Sequence, residues 1–523
     1  MNAQPALVRD LLDRIADSET VFLTARGESL DGDRFVARTE ELARRIVRAG
    51  VPEGARVCSW LEPSVDLAVF PFACALAGVV AVIVNPRLLD AQVRHVVDDC
   101  DAHAVLTSPT KLLATRDRSV AFGDRRLWMI DSDGKPGIEE LPRDIEATPL
   151  RGRDDADAPA IFLYTSGSTG KPKAIVQTER SLCDGARIVA GYLGLTHRDK
   201  VAAVLPLSFD YGLNQLTAAM FARSQVGLLS YLTAADLLRH LVRGGFTGLA
   251  GVPEIWVDVA AHLATGRFDA GELRALRYVT NSGGRLPDAT IAVLLDRLPW
   301  VSVFSMYGLT EAFRSSFVPP AELREGRRGG GRAMPGVELF VVDPQSRRVL
   351  APGAVGELVH CGACVGLGYH QRPESTARHF GPHPLLGESG GRAVYSGDLA
   401  SMDEGGNVTL HGRIDAQIKV GGYRVSPDEV IEVVRRVTGV HTAAAVGVPR
   451  SSDGLTELVV AIVPTDAKGD LAALRAQVLA RVTGELPRWM VPARIEFYSA
   501  LPQSPNQKID LAALRELLTV RDG

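Results

Sequence analysis

Residues 163–173, LYTSGSTGKPK, put chemistry-bearing side chains at close spacing: the hydroxyls of Thr165, Ser166, Ser168 and Thr169, the glycines Gly167 and Gly170, and the cations Lys171 and Lys173. Such a segment has too few apolar side chains to pack a core. Hydroxyls and glycine amides can surround phosphate oxygens, and lysines add positive charge. The competing reading is a solvated Ser/Gly turn. A Walker A loop is excluded, because it needs GxxxxGK followed by Ser or Thr. Here the glycines are closer together and Pro172 follows Lys171. By itself the segment fits a phosphate clamp and a plain turn equally well.

Five further motifs follow in order: NSGG at 281–284, MYGLTEA at 306–312, YSGDLA at 395–400, GRIDAQIKVGGYRVSPDEVIE at 412–432 and NQKID at 506–510. Taken singly, Glu311 and Asp398 read as ordinary ion-pair partners and Lys508 as a solvated loop lysine. Taken together with the opening loop, the six motifs resemble the acyl-adenylate-forming superfamily over essentially the full length. That group includes acyl-CoA synthetases, adenylation domains of peptide synthetases and luciferases. The combination LPLSFDYGLNQL, VTNSGG and MYGLTEAFRSS is most similar to stand-alone AMP-forming ligases of the exosortase-associated type. It also resembles prolyl-carrier-protein ligases and coronafacate-type ligases, which form amides.

The resemblance implies an α/β fold: a large multi-sheet N-terminal core with a distorted β-barrel portion, and a small mobile α+β lid. The implied bounds are 1–413 for the core, 414–416 for a hinge and 417–523 for the lid. It further implies ATP and Mg2+. The loop from Thr165 to Lys173 would hold pyrophosphate oxygens, Thr310 the α-phosphate, and Glu311 the metal. Tyr307, Gly283 and Gly284 would flank the adenine. Asp398, assisted by Arg413, would take the ribose hydroxyls, as a carboxylate can accept from two neighbouring hydroxyls. Lys508 would reach from the lid to the α-phosphate and the substrate carboxylate, stabilising charge that builds up in the transition state. A lysine exposed to water stays protonated at neutral pH, which suits a charge clamp. Asp415 would be the pivot, bringing Lys419, Gly421 and Gly422 to the site so that a pantetheine arm of coenzyme A or a carrier protein passes close to glycine backbone. Either glycine alone is equally a tight turn. Ala174 and Gln507 stand where glycine is usual, and neither removes a ligand.

The acid substrate should lie near residues 205–216, with Phe209, Asp210, Tyr211, Trp256, Asn281 and Phe313 as pocket candidates. Aromatics here fit core and pocket equally. Asp210 has two readings. In peptide-synthetase adenylation domains a Phe-Asp pair at this place holds the substrate's α-amino group; alternatively, the carboxylate caps the turn SFDYG. The acceptor stays open between a thiol, a free amino acid in an amide synthetase, and a carrier protein loaded with a proline-like residue. Any such carrier is expected on a separate chain. An inactive acyl or nucleotide sensor is the reading from another class, and it is opposed by the presence of Lys508, Glu311, Asp398 and the phosphate loop.

These residues need elements to hold them. The 523-residue chain is too long for one core. Its 46% hydrophobic and 23% charged residues are ordinary for a soluble enzyme. A formal charge of -4 gives no global basic field for nucleic acid or an acidic membrane, and the arginines of residues 324–332 (REGRRGGGR) are local, in what reads as a mobile glycine-rich loop. Six cysteines are few, which fits a reducing cytosol; Cys361 and Cys364 form CxxC but lack two more zinc ligands nearby. The N-terminus has no signal-peptide core, and residues 67–84, the longest apolar run, read as a buried helix followed by a buried strand. A cytoplasmic protein is expected. Residues 40–50 form an amphipathic helix pattern ending at Gly50. Short apolar runs at 56–61, 81–85, 103–108, 200–207, 246–253, 276–283 and 301–308 alternate with helical patterns, arguing for parallel sheets. In such sheets ligands gather beyond the carboxyl ends of the strands. From about Met334 the runs are hairpin-like. After residue 425 a helix is signalled by Ser426 as cap, Pro427 in the first turn and Glu429 completing a capping box.

Overall fold

The structure, a computed structural model, describes residues 8–16, 21–115, 117–130, 139–152, 155–165, 172–284, 286–414, 418–425, 427–450, 453–466, 469–502, 509 and 511–520. The loop residues Ser166, Gly167, Ser168, Thr169, Gly170 and Lys171, the pivot Asp415, the cap Ser426 and the lid lysine Lys508 therefore lie outside the described residues.

The expected strands form two large sheets. In the nine-stranded one, Gln225–Leu228, Lys200–Ala203, Gly248–Gly251, Tyr278–Asn281 and Ser302–Tyr307 run parallel, and Ser316–Val318 and Arg332–Ala333 extend the edge antiparallel. The eight-stranded sheet has a parallel middle, Val80–Ile83, Arg56–Trp60, Ala102–Thr107 and Arg126–Met129, flanked by the hairpin Pro159–Thr165 and Lys173–Thr178. The central strands are buried on both faces, which explains their near-continuous apolar sequences. The helix Val65–Leu76 and the strand Val80–Ile83 account for the long apolar run, and no helix among the described residues is long and apolar enough to cross a membrane. Helix Gly32–Arg48 ends just before Gly50, whose φ of +75° breaks the turn.

Beyond residue 334 the strands Val337–Val342, Gly356–Gly362, Phe380–His383, Gly387–Met402 and Val408–Arg413 form the expected antiparallel sheet. Cys361 and Cys364 are buried here, and burial pushes both thiols up to about 12, so neither is a ready nucleophile.

A small C-terminal domain follows. It has a hairpin of Ile418–Val420 and Tyr423–Val425, and a three-stranded sheet of Val440–Pro449, Thr456–Pro464 and Arg494–Phe497 covered by helices Pro427–Arg435, Leu471–Glu485 and Leu511–Val520. Among the described residues, the apolar clusters of the N-terminal domain fall between Val8 and Val408, and those of the C-terminal domain between Ile418 and Leu518; no cluster mixes the two.

One expectation is corrected. The arginine-rich segment is not a free loop. Arg327 and Arg332 both pair with Glu322, Arg328 reaches Asp288 at 2.7 Å, and Gly331 packs against the Phe317 backbone with no room for a side chain.

Candidate active site

The strand Ser302–Tyr307 ends in the turn Gly308–Arg314, and this turn is fixed from several sides. Gln177 Nε2 donates to the Thr310 carbonyl at 2.7 Å, and the Gly366 amide donates to the Glu311 carbonyl at 2.9 Å. Phe313 adopts φ +54°, a left-handed conformation rare for a bulky residue. Its ring is fully buried, so core packing holds the strained backbone. The turn thereby presents Thr310 and Glu311 side by side. Tyr369 Oη donates to Glu311 Oε1 at 2.7 Å, and the Lys173 ammonium stands 5.6 Å from the Tyr369 ring. Because Thr165 pairs with Lys173 across the hairpin ladder, both ends of the glycine-rich loop start beside the Thr310–Glu311 turn.

Tyr307 Oη donates to Asp398 Oδ2, joining the parallel sheet to the antiparallel one. The Asp398 amide donates to Ser396 Oγ at 3.0 Å, and Asp398 lies opposite Arg413 in the ladder.

Of these, Thr165 and Thr310, with Gly308 and Leu309 of the same turn, border a cavity of about 130 Å³; Glu311, Tyr307 and Asp398 are not among its lining residues. Its walls include Thr165, Asp210, Gly283 and Thr310, at or just beyond the carboxyl ends of strands, where α/β sheets bind ligands. The C-terminal domain supplies the opposite wall with Lys419, Gly422, Tyr423, Glu429 and Trp489. Tyr423 and Trp489 stack with centroids 4.1 Å apart and planes at 9°. Lys419 Nζ sits 5.7 Å from the Tyr307 ring, within cation–π range. Gly421 and Gly422 turn the hairpin with φ of +59° and +75°. A Cβ on Gly422 would stand 2.9 Å from Val252 Cβ, and one on Gly283 would stand 3.3 Å from Gly422 Cα. Backbone meets backbone here, and a side chain at either glycine would hold the domains apart.

The six substrate candidates divide. Phe209, Asp210 and Tyr211 line the cavity. Trp256 is 1% exposed, donates from Nε1 to the Thr280 carbonyl at 3.1 Å and packs in a core cluster. Phe313 is core, and Asn281 is buried with Nδ2 on the Gly284 carbonyl at 3.0 Å, bracing the glycine turn; none of these three is among the residues bordering the cavity. Asp210 does not cap its helix: Phe209 occupies the cap of Asp210–Ala222, with no side-chain bond to the turn. Instead its carboxylate accepts from Thr310 Oγ1 at 3.1 Å and from Arg314 at 3.0 Å, with both charged residues at most 4% exposed. Burial pushes the Asp210 carboxyl up, and Arg314 and the Thr310 hydroxyl pull against that rise.

Arg314, Tyr369, Gln177 and the Tyr423–Trp489 stack escaped the sequence reading. Arg314 had a signal: a cation inside AFRSSFV, an apolar run, requires a buried partner. The others had none, since their partners lie on distant elements.

Glu311 and Thr310 offer one carboxylate and one hydroxyl. These hard oxygen donors suit Mg2+ shared between protein and substrate phosphates, rather than an all-protein cage; among the described residues no cluster of three or more His, Cys, Asp or Glu forms a metal site.

The chain matches the AMP-binding enzyme family over residues 14–370 and the AMP-binding enzyme C-terminal domain over residues 429–508. It is 26% identical over 95% of its length to a linear gramicidin synthase of Brevibacillus parabrevis, and spans 9% of that protein. It is 30% identical over 91% of its length to the delta-poly-L-ornithine synthetase of Acinetobacter baumannii (strain AB307-0294), and spans 34% of it. Its fold superimposes on an amide bond synthetase, McbA of Marinactinospora thermotolerans, with a TM-score of 0.82 at 26% identity, covering 98% of this chain and 99% of that one.

Proposed function

We propose that this chain, which belongs to the AMP-binding enzyme family, activates a carboxylic acid with ATP and passes the acyl group to a thiol. A carboxylate oxygen attacks the α-phosphorus, pyrophosphate leaves, and an acyl-adenylate remains; a thiolate of coenzyme A or of carrier-protein pantetheine then displaces AMP. The observation that carries this is convergence: the turn holding Thr310, Thr165 and Pro172 on either side of the glycine-rich loop, and Lys419 from a second domain meet at one cavity, and Lys419 stands 5.7 Å from the ring of Tyr307, which bonds Asp398.

In this reading the Thr310 hydroxyl turns from Asp210 to an α-phosphate oxygen, Asp398 accepts from ribose hydroxyls, and Lys173 faces the leaving pyrophosphate. Glu311, oriented by Tyr369, would hold Mg2+, which supplies charge neutralisation at the phosphates when bound. Lys508 takes its assigned part from the NQKID motif: a cation at the attacking carboxylate. Gly422 stands on the cavity wall without a side chain, which suits a pantetheine arm passing close to backbone there. A second reading, transfer of the acyl group to an amine, is favoured by the end-to-end likeness to an amide bond synthetase.

The test is ATP-dependent pyrophosphate release across a panel of carboxylic acids, each run with hydroxylamine, coenzyme A or free amino acids. Release with one class of acid is the expected result, with acceleration by the true acceptor; Lys508→Ala should remove release while ATP binding persists. Undiminished release by Lys508→Ala would sink that residue's role, and acceleration by amines alone would replace the thiol reading with the amide one.

A further inference from the structure

Helix Asp90–Asp99 gives Gln92 and Val96 to the wall of the main cavity. His95 and Asp99 belong to the same stripe of this helix, at the three- and four-residue spacings that share one face. They do not border the cavity. Instead they reach the two flanks of the glycine-rich segment. On the C-terminal flank, His95 Nε2 lies 2.9 Å from the Pro172 carbonyl oxygen. On the N-terminal flank, Tyr164 Oη donates to Asp99 Oδ2 at 2.8 Å and leans toward the Val96 carbonyl at 3.4 Å.

Each anchor has a physical reason. Proline has no N–H, and the hairpin ladder begins only at Lys173, which pairs with Thr165. A carbonyl is the one backbone group Pro172 has for a partner, and His95 takes it. Because a carbonyl only accepts, Nε2 must carry the proton. The neutral Nε2–H tautomer and the imidazolium both meet that need, so the contact survives titration of the ring. Asp99 has a side chain 5% exposed, and its other oxygen accepts from Arg372. A buried carboxylate with both oxygens matched is a fixed point. Arg372 extends the set: the nearby His370 amide donates to the Ala174 carbonyl at 2.9 Å, and Tyr369 pairs with Ile175 and orients Glu311.

Anchors of this kind act through preorganisation. Donors already in place stabilise a charged leaving group without the cost of ordering them at the moment of reaction. That cost is greatest for glycine, the residue with most backbone freedom to lose.

Resting on the adenylation reading above, we infer that His95 is a positioning residue for the pyrophosphate end of ATP. His95 at Pro172 and Asp99 at Tyr164 hold the two flanks, so that Thr165 and Lys173 stand beside the Thr310–Glu311 turn before the nucleotide arrives. Both act through the residues they anchor and carry no proton for the reaction.

The test is calorimetric titration of the full-length protein, in Mg2+, with two nucleotides: the α,β-methylene analogue of ATP, which cannot react, and AMP. Both present adenine, ribose and the α-phosphorus group. Only the analogue presents a pyrophosphate end, so the ratio of the two affinities isolates that end. His95→Ala should weaken binding of the analogue about tenfold, the worth of one hydrogen bond, and leave AMP unchanged. His95→Gln keeps an N–H close to the position of Nε2 and should recover most of the loss. Tyr164→Phe removes a single oxygen at the other flank and should narrow the ratio in the same way; it carries the test if His95→Ala does not fold. With an acid found by pyrophosphate release, the same variants should raise KM for ATP, while preformed acyl-adenylate should react with hydroxylamine at the wild-type rate. An unchanged ratio overturns the inference. Equal weakening of both nucleotides overturns it too, and makes His95 a general brace of the domain. A wild-type protein that binds the analogue no more tightly than AMP fails differently: the glycine-rich segment then has no hold on pyrophosphate, and the inference falls together with that part of the adenylation reading.

Discussion

Glu311→Gln is expected to lower the kcat of pyrophosphate release by about 10²–10³, the loss usual when one positioned electrostatic group is taken from a transition state. The substitution keeps the shape of the side chain and leaves an oxygen to accept from Tyr369 Oη, so the turn should stay in place. What disappears is the negative charge, and with it the hold on a divalent cation at the phosphates. The effect should therefore appear in kcat and in the Mg2+ concentration needed for half-maximal rate, with little change in thermal stability. Tyr369→Phe separates charge from orientation: it keeps the carboxylate and removes its donor, and should cost much less than the glutamine. Should Glu311→Gln leave kcat unchanged and lower only the melting temperature, Glu311 is a structural brace of the turn, and the metal is held elsewhere.

Gly422→Leu should have the opposite signature. The side chain would be built at φ +75°, with its Cβ 2.9 Å from Val252 Cβ, and so driven into Val252. Overpacking of this kind costs about 1–3 kcal/mol, and the left-handed backbone adds about 1–2 kcal/mol for a residue with a Cβ. Together these disfavour the arrangement in which the C-terminal hairpin closes the cavity, by about 30- to 5000-fold in population. Acyl transfer to the acceptor should fall accordingly. Pyrophosphate release should fall little, provided that adenylation uses another placement of the same domain. The two half-reactions are read apart by running release with hydroxylamine, which traps the adenylate without the acceptor site. Equal loss in both would show that this one arrangement serves the whole reaction.

The sequence carried the chemistry further than the packing. Strand positions were legible because burial on both faces demands nearly continuous apolar runs, and Thr165 and Lys173 stood out as the ends of a segment rich in hydroxyls, glycine and lysine, although the hairpin that joins them was not read. Thr310, Glu311 and Asp398 stood out through motif order. The pocket candidates were harder. Trp256 and Phe313 follow strands or turns just as Tyr211 does, and apolar composition alone cannot tell the wall of a cavity from the core behind it. Asp210 was ambiguous for a different reason. Its fate is decided by Arg314, about a hundred positions away, and no local pattern announces a long-range ion pair. The approach of Lys419 to Tyr307 depends on how one domain sits on another, which hydrophobic periodicity does not encode.

The separateness of the apolar clusters on either side of residue 413 has a thermodynamic consequence. Each domain buries its own oil, so each is a cooperative unit that can melt and reform without the other. A heating trace then holds two overlapping transitions, and one midpoint describes neither. A ligand seated in the main cavity touches walls from both units, so it ties their fates together: saturation should draw the two endotherms toward one another, and the extent of that merging reports how firmly the smaller unit is clasped.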